Sequence, residues 1–207
     1  MANILITGFT PFAGRAVNAS WLAAHWLAEH HGTTHHIRAA LLPVLWGAPA
    51  QMLTPLIVTC DPDLIISLGE GHPGRFAIET LARNTRSQRE DNAGQLPSAA
   101  LISPQGPEEY RSQLDADGLC LRLQARGYPM HVSRDAGAFL CEETLYCLEQ
   151  ICQNTSPATG GRRRQAVFCH LPPFGTELKV ADQTRSCDQS LLNAFSHDLL
   201  IELLSAG

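Results

Sequence analysis

The chain has 207 residues, 44% of them hydrophobic and 17% charged, with a formal net charge of −5. That length suits one domain with a sizeable core, and the mild negative charge argues against a nucleic-acid or anionic-membrane partner. No apolar run reaches the roughly 18 residues of a membrane-spanning helix, and the N-terminus lacks the basic, apolar and cleavage regions of a signal peptide, so a cytoplasmic location is expected.

The first element, 3-NILITGF-9, is a short apolar run closed by Gly8 and Pro11, which predicts a strand. Apolar residues at helical spacing in 20-SWLAAHWLAEHH-31, behind a Ser cap, predict a helix. A strand is predicted over 36–44, a helix over 48–59 and a near-continuous apolar strand over 63–69, of the kind buried on both faces of a parallel sheet. The segment 76-FAIETLARNT-85 fits strand and helix equally. Residues 86–110 lack periodicity and predict a long irregular loop, a length at which loops are often functional. Asp115 caps a predicted helix over 116–126 that Gly127 ends. A strand over 128–133, a helix carrying Cys141, a strand over 165–171 and a last helix over 187–205 complete the series. Strands and helices alternating in this order predict a single-domain α/β/α sandwich spanning 1–207, with a mainly parallel, twisted sheet. The basic run Arg162-Arg163-Arg164 follows two glycines and reads as a solvated turn.

The seven cysteines form no C-x-x-C pair, which argues against a zinc ribbon or a thioredoxin motif and predicts free thiols. The string 69-GEGHPG-74 matches G-x-G-x-x-G, but it follows the third strand and carries Pro73, whereas a dinucleotide fingerprint opens a helix in the first βαβ unit. No G-x-S-x-G, Walker loop or H-E-x-x-H occurs, so those enzyme classes lack support.

Open α/β sheets bind ligands beyond the carboxyl ends of their strands. Three reactive side chains fall at or past such ends: Glu79 after strand 63–69, Cys141 after strand 128–133, and His170 ending strand 165–171. Cys141 also falls in the first turn of its helix, where unpaired N–H groups and the dipole favour a thiolate. Most cysteines are inert core residues, and nine histidines make chance pairings easy. Placement alone leaves the catalytic and structural readings evenly balanced.

The segments 6-ITGFTPFAG-14, 74-GRFAIE-79, 135-DAGAFLC-141 and 169-CHLPPF-174, in that order, resemble the pyroglutamyl peptidase I (pyrrolidone carboxyl peptidase) family over nearly the whole chain. The resemblance implies a cytosolic cysteine peptidase that removes an N-terminal pyroglutamyl residue from a peptide or small amide. It implies neither cofactor nor metal, and a homo-oligomer, tetramer or dimer. It makes Cys141 the nucleophile, His170 the base and later acid, and Glu79 the partner that orients His170. It also assigns Phe9, Phe12, Phe139 and Leu140, with Asn18 nearby, to an apolar pocket for the lactam ring.

The chain departs from the family in several places. It has 11-PFAG-14, with Ala13, for P-F-G-G, and 18-NAS-20 where N-P is usual. Glu70 stands where a neutral residue is common, the 75–84 stretch is shorter, 88-QREDN-92 replaces R-I-P-D-N so that its arginine is either lost or shifted to Arg89, and Glu142 follows the nucleophile in place of Asn. If Glu70 faces the ring, an ionised carboxylate would repel the lactam carbonyl. The expectation is then a paralogue acting on a different amide or acyl group, unless Glu70 pairs with an arginine such as Arg75 or Arg89, which would neutralise the pocket. A silent binding protein is the reading from another class, and the intact Cys141, His170 and Glu79 speak against it.

Overall fold

A computed structural model of the protein describes residues 1–32, 34–154 and 163–205. Six strands form the central sheet: β1 (Asn3–Phe9), β2 (His36–Leu42), β3 (Leu64–Glu70), β4 (Phe76–Glu79), β7 (Met130–Ser133) and β8 (Gln165–Leu171). Their order is β2-β1-β3-β8-β4-β7. β2, β1, β3 and β8 are mutually parallel, as expected of strands whose apolar runs are buried on both faces. β4 runs antiparallel to β8 and parallel to β7, so the last two strands point the other way.

Side-chain alternation assigns the faces. Ile4, Ile6, Ile66, Phe76, Ile78, Val167 and Cys169 pack on α1 (Ala19–His31), α3 (Ala116–Ala125) and α5 (Gln189–Ser205). Leu5, Phe9, Ile65, Ala166 and Phe168 pack on α2 (Ala48–Cys60) and α4 (Leu140–Asn154). This is the predicted sandwich, and its α2–α4 face carries the site.

Three local expectations need correction. The N-cap of α1 is Asn18, not a serine: its Oδ1 accepts from the Ser20 N–H at 3.0 Å, and Ser20 lies inside the helix. The 76–85 segment is two strands, β4 and β5 (Leu81–Arg83), the latter paired with β6 (Glu109–Arg111). Burial of every β4 position hides the period that separates strand from helix. A hairpin, β9 (Glu177–Val180) and β10 (Gln183–Ser186), was not expected. Its turn residues Ala181 and Asp182 have φ of 47° and 63°, values that usually announce themselves through Gly or Asn. Of the basic run, Arg162 lies outside the described residues, while Arg164 is held by Asp61 at 2.6 Å.

Candidate active site

His170 is the sixth residue of β8 and faces α4. Its Nδ1 lies 2.8 Å from Glu79 Oε1, and both side chains are buried. Glu79 reaches it in a way that was not foreseen. It ends its own strand β4, and because that strand is antiparallel, Ala77 lies opposite His170 and Glu79 opposite Phe168. The carboxylate therefore approaches the imidazole from inside the sheet rather than from its carboxyl edge. Cys141 likewise does not continue from the end of β7 in the sense expected, since β7 runs opposite to β8. Residues 134–139 turn the chain back before α4 begins.

That turn is tightly specified. Gly137 and Ala138 have φ of 88° and 52°, the second a costly conformation for a residue with a Cβ. The Ser87 N–H donates to Ala138 O at 2.7 Å. Glu142, fully buried, accepts from the Arg83 N–H at 2.6 Å and the Ala138 N–H at 3.4 Å. Burial raises its pKa, while those N–H groups oppose the rise. Glu143 is held bidentately by Arg86 at 2.8 and 2.9 Å and accepts from the Gly47 N–H. Two buried carboxylates thus anchor the first turn of α4.

Cys141 sits in that turn, where the leading N–H groups have no partner within the helix. Its sulfur stands over Gly69, the β3 residue registered beside His170. A Cβ at Gly69 would lie 2.9 Å from Cys141 Sγ and 3.2 Å from His170 Cδ2, so the missing side chain is what lets thiol and imidazole meet. Burial alone would lower the His170 pKa. The charge and hydrogen bond of Cys141, then those of Glu79, outweigh it and raise the value to about 10. A proton is thereby held on the ring next to the sulfur, as a thiolate–imidazolium pair requires.

The cleft over this group has a volume of about 600 Å³. Phe9, Phe12, Phe139 and Leu140, the residues that the resemblance assigns to the ring pocket, line it together with Cys141, His170 and Glu79. Trp46 meets Phe139 edge-on at 5.0 Å. The guanidinium of Arg89 lies 4.3 Å from the Phe139 ring centroid and 5.9 Å from that of Phe12. The irregular 86–108 segment thus contributes Arg89 to the cleft, and it is pinned firmly. Asn84 Nδ2 donates to Ser103 O at 2.7 Å, and Asn92 Nδ2 to Pro11 O at 2.8 Å.

Two expected ring contacts have other partners. Asn18 borders the cleft, but Nδ2 donates to Thr10 O and Oδ1 caps α1. Glu70 also borders it, with its carboxylate turned to Arg15 and to the Ala19 N–H at the start of α1, 2.7 Å away. The charge expected to repel a lactam is thus neutralised by Arg15. Glu70→Gln should then leave pyroglutamyl hydrolysis unchanged or lower it, not raise it. The lost pair and weakened cap should cost about 1 kcal/mol in a denaturation curve, a modest figure because Arg15 is half exposed. A several-fold gain in hydrolysis would restore the repulsion idea.

A thiol at a helix N-terminus, an imidazole beside it and a carboxylate on the far ring nitrogen define the cysteine-hydrolase class on an α/β sandwich. The pyroglutamyl peptidase family model matches residues 2–193. The chain belongs to that family. It is 34% identical to the pyrrolidone-carboxylate peptidase of Gloeobacter violaceus, covering 82% of this chain and 81% of that one. It is 35% identical to the Chromobacterium violaceum enzyme, over 83% and 78%. In fold it is similar to the pyrrolidone carboxyl peptidase of Fervidobacterium islandicum, with a TM-score of 0.82, 25% identity and 100% and 99% of the two chains covered.

Several residues of the site were not anticipated. Arg15 neutralises a carboxylate 55 residues away, and nothing local in the sequence announces that pairing. Trp46 and Gly69 also escaped notice, though a glycine followed by Glu-Gly at a strand end signals close packing against the backbone.

Proposed function

We propose that this chain removes the pyroglutamyl residue from the N-terminus of peptides, with Cys141 as nucleophile, His170 as base and acid, and Glu79 as the group that orients His170. The observation that carries it is the bonded Glu79–His170 pair beside a helix-start cysteine, at the mouth of a phenylalanine-walled cleft. Glu79 occupies Nδ1, which turns the Nε2 edge of His170 toward Cys141. The thiolate attacks the scissile carbonyl, and the oxyanion faces the N–H groups at the start of α4. His170 gives its proton to the leaving amine. It then takes one from the water that frees pyroglutamate from the sulfur.

The flat, neutral lactam suits apolar faces with few polar contacts. Pairing of Glu70 with Arg15 removes the reason for expecting a different acyl group. The reading takes residues 1–207 as one catalytic domain, working in the cytoplasm as a homo-oligomer without cofactor or metal. Seven free cysteines favour a reducing compartment, and no helix among the described residues is long and apolar enough to cross a membrane. Light scattering of the purified protein tests the oligomer.

The activity is tested with a fluorogenic pyroglutamyl amide beside acetyl, prolyl and glutamyl amides. Selective release from the pyroglutamyl substrate is expected, and equal or absent release would overturn the reading. Glu79→Gln should retain a residual rate, about 10²–10⁴-fold below wild type, since a neutral amide orients the ring imperfectly. Glu79 helps raise the His170 pKa, so without its charge His170 loses its proton at lower pH. The alkaline limb of the kcat/KM profile should therefore move to lower pH. An unchanged rate and profile would make Glu79 structural.

A further inference from the structure

The cleft extends past His170, away from the ring pocket, and sheet order fixes what lies there. Gly69 of β3, His170 of β8, Ala77 of β4 and His131 of β7 are registered neighbours in one cross-strand row on the α2–α4 face. Phe9 ends β1, on the opposite side of β3 from β8. Along this face the sequence of groups is therefore apolar pocket, Cys141 over Gly69, His170, then the small Ala77, then His131. With strands about 4.8 Å apart, His131 lies roughly 10 Å beyond His170, across a floor left low by a methyl group.

An acid that protonates a leaving amine must face the leaving group. With the ring held on the β1 side, the departing peptide runs over β4 and β7. That floor is basic. Arg75, just before β4, and the exposed His72 and His131 all border the cleft. The cleft's carboxylates are each engaged elsewhere: Glu70 by Arg15, Glu79 by His170, and Asp135 by Arg83 at 3.6 Å. Arg75 makes no ion pair among the described residues. An uncompensated cation here, in a chain of net charge −5, is available to a substrate.

We propose that the cleft over β4 and β7 receives the first residue of the leaving peptide, and that Arg75, with His72 and His131 beside it, selects an acidic side chain there. This rests on the peptidase reading above. It adds a preference that the ring pocket cannot supply, because the ring is the same in every substrate.

The test uses amidated pyroglutamyl-X-alanine peptides with X as Glu, Ala or Lys, which keeps terminal carboxylates out of the comparison. Wild-type kcat/KM should favour Glu over Lys by about 5-fold at low salt, since exposed charge pairs are individually weak. The ratio should shrink toward one in 0.5 M salt, where the screening length drops to roughly 4 Å. Arg75→Glu should reverse the order and favour Lys. Equal rates for Glu and Lys in the wild type, or an Arg75→Glu ratio identical to wild type, would overturn the subsite while leaving the peptidase intact. Failure to cleave even the alanine peptide would overturn the peptidase reading itself, and the subsite with it.

Discussion

Cys141→Ser is expected to abolish turnover of a pyroglutamyl amide, with kcat falling on the order of 10⁴-fold or more, while circular dichroism and the melting curve stay close to wild type. A serine hydroxyl is far less ionised than a thiol near neutral pH, and the raised proton affinity of His170 depends in part on Cys141 itself. His170→Ala should fall as far, because a nucleophile without its proton acceptor has no more use than the acceptor alone. The other cysteines supply controls. Burial pushes the Cys147 and Cys152 thiols up to about 12, so Cys147→Ser and Cys152→Ser should keep most activity. Iodoacetamide at pH 7 should accordingly label Cys141 first and lose that fast phase in His170→Ala. Full activity in Cys141→Ser, or fast labelling elsewhere, would move the nucleophile to another residue.

How much of this was readable in the chain depends on the reach of each signal. The runs that became β1, β3 and β8 are continuous and apolar because both faces are covered, and such runs declare both strand and parallel sheet. Asp115 and Gly127 marked the ends of α3 through local capping and a φ of 93°. Strand direction was not readable. β4 and β7 have four residues each; the reversed sense of β4 comes from pairing with β8, Glu79 and His170 being 91 positions apart, and β7 follows by pairing parallel to β4. The three reactive side chains were found from strand ends and family resemblance together. Placement past strand ends led to three side chains that border one cleft, although Glu79 reaches His170 by a different route. Glu70 was harder to read for the same reason that β4 was: its partner is Arg15, 55 positions away, rather than the Arg75 or Arg89 that the sequence offered. Charge balance at a site is a property of the folded neighbourhood, and only residue identity survives in the string.

Gly69→Ala should remove most activity without replacing any reactive group. No positive φ obliges a glycine here, so the backbone itself accepts alanine. The added Cβ would fall 2.9 Å from Cys141 Sγ, 3.0 Å from Phe168 Cζ and 3.2 Å from His170 Cδ2, all inside normal contact. Phe168 is 1% exposed and locked in the core, so it has little room to give. His170 is tied to Glu79. The free end of the crowd is the Cys141 thiol, which should rotate away from the imidazole. A displacement of about 1 Å between reacting groups costs on the order of 10²-fold in rate. Overpacking should cost about 1–3 kcal/mol, a melting-point drop of several degrees in a protein of this size. The ring pocket of Phe9, Phe12 and Phe139 is untouched, so kcat should fall while KM stays within about twofold. The fast iodoacetamide phase should slow with kcat, since both depend on the thiolate held against His170. A folded Gly69→Ala protein with wild-type kcat would mean that the thiol and imidazole do not need the gap that Gly69 leaves, and the pairing of Cys141 with His170 would have to be abandoned.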